Sequence, residues 1–327
     1  MAFERLKKVF KMKKYLLILF TVLISISGFA QRNVFSVEGN KTLLNGKEFQ
    51  VIGLRLSNSL YSEETTKDLI NHLDLYKDYG INTISVFMMG SRFGDIKGYN
   101  RDASLNPIYS DRLKRIITAC DQKGMVVLVG CLYWSNNNGS KAKWSEWTQK
   151  EANLAVANTI RFLKENKFKN VLVDPDNEGM ANREAGFNIS EMIAAGKSVD
   201  SDYIIGYNAR GYTPRNADLA LHFSNKTKFI PYIESEGTMT DYWGAYSKEQ
   251  GKYHYINVGI YTEGKKKEQL RLTQEHLENG YGYMFSSTWL QNIPVNHRPG
   301  GDGTPCDPGI KWWLEYIKEN HGPYKFN

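Results

Sequence analysis

The sequence predicts a (β/α)8 barrel (a TIM barrel) that begins with an N-terminal β-hairpin. Three observations support this class: eight short apolar or β-rich segments, helical patterns between most of them, and a glutamate just past two of the strands. Nearly continuous apolar runs, such as residues 126–132, are typical of parallel strands covered on both faces. Eight such strands with helical crossovers favour a closed barrel over an open sheet.

Residues 1–30 have the pattern of a signal peptide, and residues 31–327 are predicted to form a single domain. Six Lys or Arg side chains precede an apolar run, 15–26, that is short for crossing a bilayer, and small residues at 28–30 suit cleavage before Gln31. The residue directly after the cleavage site is Gln31 and not a cysteine, so the sequence does not indicate a lipoprotein anchor. We therefore expect an exported protein, secreted or periplasmic, with no stable membrane anchor after cleavage.

The charge balance argues against a nucleic-acid partner. The whole chain has 42 Lys and Arg against 35 Asp and Glu, but residues 1–30 hold six of the former and one of the latter. The remainder has 36 basic and 34 acidic residues, a net charge of only +2. Of the three cysteines, Cys120 and Cys131 suit buried apolar positions, and Cys306 leaves at most one disulfide; no Cys or His spacing indicates a metal site.

The first half of the chain alternates strand and helix patterns. Residues 35–52 alternate around Asn45-Gly46, a two-residue turn signal that predicts the hairpin. The predicted elements that follow are the strand 49–54, the helix 63–79, the strand 83–89, a helix through 113–120, the strand 126–132, the helix 148–164 and a fourth strand that starts at 171.

The second half repeats this alternation with shorter elements. The predicted elements are a helix around 189–195, the strands 203–207, 219–223 and 229–233, the helix 265–278, the strand 282–289 and the helix 310–319. The sixth and seventh strands leave almost no room for a helix between them.

Two glutamates follow strands of this predicted barrel. Asn177-Glu178 comes after the fourth strand, and Glu236 comes after the seventh. The carboxyl ends of barrel strands lie at one face, where barrel enzymes place their active sites. Cleavage of a glycosidic bond uses two carboxyl groups, one that protonates the leaving oxygen and one that attacks the sugar or activates water. The pair therefore predicts glycoside chemistry, although either glutamate alone would suit an ordinary solvated position.

This arrangement resembles the clan A glycoside hydrolases, the cellulase-like superfamily of retaining (β/α)8 enzymes. The resemblance covers nearly all of the mature chain and depends on the order and spacing of short segments: 35–53, 79–84, 109–124, Asn177-Glu178 and 231–236. It implies a retaining hydrolase of a polysaccharide or oligosaccharide, with Glu178 as acid/base, Glu236 as nucleophile and no cofactor. A non-catalytic carbohydrate-binding barrel and a transglycosylase are the alternatives.

The chain departs from the family pattern at Ser85, where many members have an arginine that contacts the nucleophile. Arg55 and Arg92 are the candidate substitutes. The nucleophile itself has two further candidates. Glu263 resembles a strand-end glutamate, and Glu234, ranked after it, shares strand parity with Glu236.

Asp174 and Asp176 rival Glu178, but Pro175 between them favours a structural turn. The Asn177 amide is a candidate partner of the sugar 2-hydroxyl.

Further strand-end residues suit a carbohydrate site, because aromatic rings stack on sugars while amides and imidazoles bind hydroxyls. The candidates are Tyr133, Trp134, Tyr207, Asn208, His222 and Trp289. Trp144, Trp147, Trp312 and Trp313 are expected to pack in the core or on helices instead. Four arginines also follow predicted strands and would suit an acidic glycan, or else are solvated loop charges: Arg55, Arg92, Arg210 and Arg298.

Overall fold

The computed structural model of the protein describes residues 32–91, 94–134, 144–237, 246–247, 252–253, 263–286 and 310–326. In chain order the described strands are β1 (Phe35–Glu38), β2 (Lys41–Leu44), β3 (Lys47–Glu48), β4 (Ile52–Arg55), β5 (Thr83–Phe87), β6 (Met89–Ser91), β7 (Gly94–Lys97), β8 (Val126–Leu132), β9 (Val171–Asp176), β10 (Ile204–Tyr207), β11 (Leu219–Leu221), β12 (Tyr232–Glu234), β13 (Tyr246–Ser247), β14 (Lys252–Tyr253) and β15 (Gly282–Ser286). The predicted signal peptide lies outside these residues.

Eight of these strands close into a parallel barrel, which confirms the predicted fold class. Around the barrel the order is β4, β5, β8, β9, β10, β11, β12 and β15, and β15 returns to pair with β4. The closing register sets Ser286 beside Arg55. The predicted strands are all present with shifted ends: the seventh begins at Tyr232 rather than at Phe229, which is 84% exposed.

Helices connect most of the strands on the outside. The described α-helices are Glu63–Asp78, Pro107–Gln122, Gln149–Glu165, Met180–Ala185, Ile189–Val199, Glu263–Glu278 and Lys311–His321. Local sequence explains their starts: Ser62 and Thr148 each accept a bond from the first helical turn, and Pro107 follows the cap Asn106. Residues 222–231, between β11 and β12, contain no helix, as predicted. Among the described residues no helix is long and apolar enough to span a bilayer.

The N-terminal hairpin is part of a three-stranded antiparallel sheet, β1–β2–β3. Asn45 and Gly46 join β2 to β3 with φ of 55° and 75°, the left-handed pair that a two-residue turn of this type needs. A second turn at Gly39, also left-handed, was not anticipated from the sequence. Phe35 and Phe49 from this segment pack with the inner apolar cluster of the barrel. The sheet therefore closes the amino end of the barrel.

Apolar side chains form two layers, one inside the barrel and one between strands and helices. Val126, Leu128 and Leu172 belong to the inner layer, and the residues between and beside them on the same strands, such as Val127 and Val173, belong to the outer one. Cys120 and Cys131 are buried free thiols, in agreement with their apolar reading. At the carboxyl end of the barrel the buried side chains include charged ones, such as Arg55 and Asp174.

Candidate active site

The two predicted catalytic glutamates meet at the carboxyl end of the barrel. Glu178 lies in a 3-10 turn, Asn177–Gly179, directly after β9, and Glu236 lies two residues past β12. A carboxylate oxygen of Glu178 and one of Glu236 are within 4.8 Å of each other. Glu178 is half-buried, whereas Glu236 is 2% exposed. One carboxyl is thus accessible and the other is enclosed.

The backbone at Glu178 is held in an unfavourable conformation. Its φ of 54° and ψ of 17° are left-handed, which costs a non-glycine residue about 1–3 kcal/mol. The next residue, Gly179, is also left-handed, and a Cβ there would lie 2.8 Å from the Cβ of Ala209. The Arg183 guanidinium donates to the Glu178 carbonyl and braces the turn. Strain of this kind, stabilised by neighbours, is concentrated at functional sites.

Arg55 at the end of β4 supplies a buried positive charge to Glu236. Its Nη1 lies 2.9 Å from Glu236 Oε2, and its side chain is 1% exposed. The guanidinium also lies over the rings of Phe87 and Tyr133, 4.8 and 5.3 Å from their centroids. Burial lowers the pKa of Arg55, but the carboxylate of Glu236 and its neighbours raise it more. The cation is therefore permanent.

The register explains how Arg55 substitutes for an arginine at position 85. Arg55 on β4 pairs directly with Ser85 on β5, so the two positions are neighbours at the same level of the barrel. Ser85 is 1% exposed and its short side chain leaves room beside it. The guanidinium reaches Glu236 from one strand away.

Asn177 links these groups. Its Oδ1 accepts a bond from Arg55 Nη1 at 3.1 Å, and its Nδ2 is 3.4 Å from Glu178 Oε1. The contact with Arg55 thereby orients the Asn177 amide N–H group toward Glu178.

His222 and Glu234 form a second buried pair beside the first. His222 Nδ1 is hydrogen-bonded to Glu234 Oε1, and both side chains are 4% exposed. A ring nitrogen of His222 lies within 4.8 Å of oxygens of both Glu178 and Glu236. Burial lowers the pKa of His222, but Glu234 raises it more, to about 9. Conversely, burial raises the pKa of Glu234 but the imidazolium holds it below its usual value.

The pKa of Glu236 is raised by its surroundings. Burial, and then the nearby Glu178 carboxylate, hold the pKa of Glu236 well above its usual value, although Arg55 and His222 oppose this rise. Glu236 therefore binds a proton more readily than an exposed glutamate does, and Arg55 and His222 are the groups that favour its ionised form.

Asp174 and Asp176 have structural partners. Asp174 accepts from Asn208 Nδ2 at 2.8 Å. Asp176 accepts from the backbone N–H groups of Ala181 and Asn182 at 2.8 and 2.9 Å, and so caps the helix that follows Glu178. Burial raises their pKa values to about 6 and about 7. Both therefore support the turn, in line with the role that Pro175 suggested.

Glu178, His222 and Glu236 make up the one group of acidic, histidine or cysteine side chains in the described part of the chain that is close enough to hold a metal ion. The chemistry of the set disfavours a metal. A histidine must be neutral to ligate, whereas His222 has a pKa of about 9. The Arg55 guanidinium already neutralises Glu236 at 2.9 Å.

Three predicted sugar-binding residues have other surroundings. Trp134 is 4% exposed and packs against Trp147 and Phe187, with ring centroids 5.8 and 5.4 Å away, so it belongs to the outer core. Tyr207 is half-buried and packs against that same outer layer. Asn208 is fully buried and holds Asp174 rather than pointing an open amide into the cleft.

The remaining candidates separate into three groups. Glu263 is the first residue of a helix, 88% exposed and paired with Lys266 at 2.8 Å, so it is not a strand-end glutamate. Arg210 is exposed and lies over the Phe223 ring at 5.8 Å. Trp289, Arg92 and Arg298 lie outside the described residues.

Comparison with known proteins identifies the fold through structure alone. No family model matches the chain, and no curated protein matches it significantly in sequence. Among solved structures, a β-glucanase from Saccharophagus degradans superposes with a TM-score of 0.57 at 15% identity, covering 90% of this chain and 95% of that one. The fold is that of glycoside hydrolases.

Further structures of this type give similar values. A glycoside hydrolase family 5 protein from Bacteroides vulgatus has a TM-score of 0.55 at 15% identity, over 88% of this chain and 68% of that one. An endo-1,4-β-mannanase from Rhizomucor miehei has a TM-score of 0.53 at 12% identity, over 77% and 90%. The predicted resemblance to clan A glycoside hydrolases is thus confirmed for the fold.

Sequence reasoning missed the Glu234–His222 pair. The sequence indicates Glu234 as a rival nucleophile and His222 as a sugar ligand or a buried histidine, without linking the two residues. One signal was available: Tyr232 and Glu234 alternate along one strand, so their side chains share a face. Predicting that His222 is the partner of Glu234 would also have required the register of β11 against β12.

Proposed function

We propose that the protein is a retaining glycoside hydrolase in which Glu236 is the nucleophile and Glu178 the acid/base. The observation that carries the proposal is the spacing of the two carboxyls, whose oxygens approach within 4.8 Å. Retaining enzymes hold their carboxyls about 5–5.5 Å apart, whereas inverting enzymes need about 6.5–9.5 Å to admit a water molecule.

The first step is attack on the anomeric carbon. The Glu236 carboxylate, whose negative charge Arg55 stabilises, forms an ester with the sugar while Glu178 donates its proton to the departing glycosidic oxygen. Asn177, between Arg55 and Glu178, is placed to donate its amide N–H to the sugar 2-hydroxyl, a bond that strengthens in the transition state.

The second step releases the sugar. Glu178, now a carboxylate, takes a proton from water as the water attacks the anomeric carbon, and Glu236 leaves as a carboxylate beside Arg55. No cofactor takes part in either step.

The substrate that fits best is a neutral β-linked glycan. Arg55 is committed to Glu236 and Asn177, and Arg210 is exposed over Phe223, so neither offers a free guanidinium in the cleft. The structural neighbours include β-glucanases, one bound to cellotetraose, and mannanases. β-Glucan and β-mannan oligosaccharides are therefore the first substrates to assay, with an acidic glycan as comparison.

The test is to trap the covalent intermediate. A 2-deoxy-2-fluoro glycoside of a turned-over sugar, with a good leaving group, should add one sugar mass to the protein, and peptide mapping should place it on Glu236. In Glu178→Ala an activated substrate should still form the ester but release it slowly, and azide should restore turnover. No adduct together with inverted product stereochemistry would rule the mechanism out.

Two other functions give different results in the same experiments. A non-catalytic carbohydrate-binding barrel would bind glycans but would not hydrolyse them, so there would be no turnover for Glu178→Gln to abolish. A transglycosylase would use the same residues but yield products longer than the substrate. Export is part of the proposal, and N-terminal sequencing of the protein from the culture or periplasm should begin at Gln31.

A further inference from the structure

Glu234 is a buried carboxylate that the two-step mechanism leaves without a role. It is 3% exposed and lies on β12, two residues before the proposed nucleophile. It has three hydrogen-bond partners: the His222 ring, the Tyr232 hydroxyl at 3.0 Å and the backbone N–H of Glu236 at 3.2 Å. A single carboxylate thus holds both the backbone of Glu236 and the orientation of His222.

His222 is fixed at both of its ends. Its backbone N–H donates to the Ile233 carbonyl at 3.0 Å, and its carbonyl accepts from the Tyr232 hydroxyl at 2.7 Å. Its φ is +23°, a backbone angle that residues other than glycine rarely adopt. These contacts from β12 hold the strained residue in place.

The other ring nitrogen of His222 lacks a hydrogen-bond partner. Nε2 is buried and has no such partner among the described residues, and a ring nitrogen of the imidazole lies within 4.8 Å of oxygens of both Glu178 and Glu236. A buried N–H group without an acceptor destabilises the fold. These two carboxyls are therefore the candidate acceptors for Nε2–H.

We propose that Glu234 is a positioning residue that holds His222 as an imidazolium, with Nε2–H directed at Glu236 as a second cationic partner beside Arg55. This inference rests on the proposed function, since it assigns Glu236 a charge that appears before attack and again when the ester breaks. Arg55 approaches Glu236 from β4, whereas His222 approaches from β11. The two cations together offset the repulsion between Glu178 and Glu236.

Other titratable groups face this pair and must stay constant in the test. On the inner side they are Glu178, Glu236 and Arg55, and on the outer side Tyr232, His276 and Lys226, the last two in contact at 2.7 Å. Glu234→Gln leaves all of them in place and changes the carboxylate by one atom. Glu165→Gln, at an exposed position at the end of the helix Gln149–Glu165, is the matched control.

The kinetic experiment measures kcat/KM against pH. Loss of the imidazolium removes a charge that lowers the pKa of Glu236, so the acid limb of Glu234→Gln should move to higher pH. At a pH on that limb the rate should fall about ten- to a hundredfold, while Glu165→Gln follows the wild type. A lower thermal midpoint with an unchanged acid limb would mean that Glu234 is structural only, and would overturn the proposal.

A second measurement does not depend on activity. The ring ¹⁵N resonances of His222, assigned by their absence in His222→Gln, should titrate near pH 9 in the wild type. The midpoint should fall in Glu234→Gln, because the carboxylate that raises the pKa of His222 most is lost, and by less in Glu236→Gln. Equal midpoints in all three proteins would overturn the inference, whereas a wild type that hydrolyses no glycan but shows these shifts would refute the proposed function alone.

Discussion

The two ends of the barrel are built from the same strands and carry opposite chemistry. At the amino end, Phe35, Phe49 and Val51 fill the interior with apolar surface. At the carboxyl end the interior holds Arg55, four residues after Val51, and Asp174. These five side chains are all buried. Burial in this protein therefore serves packing at one end and electrostatics at the other.

The charged end remains folded because its charges are paired. Isolated buried ions are too costly to keep, so each needs an opposite charge or several hydrogen bonds. Arg55 pairs with Glu236, and His222 pairs with Glu234. We therefore expect substitutions at this end to affect catalysis more than stability, and substitutions at the other end to do the reverse.

The largest effect is expected for Glu236→Gln. Removing the nucleophilic carboxylate should lower kcat by at least about 10⁴-fold, with a circular dichroism spectrum like that of the wild type. Hydrolysis of an aryl glycoside by the purified variant measures this. The control is Glu263→Gln, and a comparable loss there would transfer the nucleophile to Glu263.

Phe49→Ala should show the opposite pattern. The side chain is 7% exposed and meets Phe35 and Tyr324 with centroids 6.1 and 6.2 Å away. Its truncation should lower the free energy of unfolding in urea by about 3–5 kcal/mol, with unchanged kcat in the folded protein. Phe229→Ala, at an 84% exposed site, should cost less than about 0.5 kcal/mol. Similar losses in both variants would contradict the idea that the amino end is the structural core.

Arg55→Ser should lower kcat/KM by about 10²–10³-fold, because the charge that stabilises ionised Glu236 is lost. Since Ser85 is its register partner, the double variant Arg55→Ser/Ser85→Arg should recover part of that loss. Steady-state kinetics on all three proteins, including Ser85→Arg alone, measures the exchange. If a stably folded double variant recovers no activity, an arginine can stabilise Glu236 from β4 but not from β5.

The smallest effect concerns pH and stability. Burial raises the pKa of Asp176 to about 7, above the value of about 3.9 in an unfolded chain. The folded protein keeps this proton where the unfolded chain has lost it, so the contribution favours folding at low pH and disappears as the pH rises through 7.

Asp176→Asn removes that contribution. Its thermal midpoint should therefore fall less between pH 5 and pH 8 than that of the wild type, by about 2–4 °C for each kcal/mol involved. Asp111→Asn, at an exposed helix position, should match the wild type at every pH. An identical pH dependence for Asp176→Asn would show that the buried carboxyl does not contribute.

Local patterns were enough for the elements of the fold. The apolar run 126–132 matched β8 residue for residue, and Asn45-Gly46 predicted its turn, because both depend on near neighbours in the chain. The sequence predicts that the seventh strand begins at Phe229, because that residue is apolar. In the structure Phe229 is exposed, and β12 begins three residues later, at Tyr232. Trp134 was misplaced for the related reason that its packing partners, Trp147 and Phe187, are distant in sequence.

The barrel, its strand count and the positions of Glu178 and Glu236 at strand ends could be predicted from the amino-acid sequence, because periodicity and strand-end chemistry are local properties. Which side chains become partners depends on the tertiary structure. Arg55 reaches Glu236 across 181 positions of the chain, and Glu234 turns His222 toward the pair rather than acting as a nucleophile. Those outcomes depend on the closure and register of the barrel, which bring distant side chains within bonding distance and exclude the water that would otherwise screen their charges.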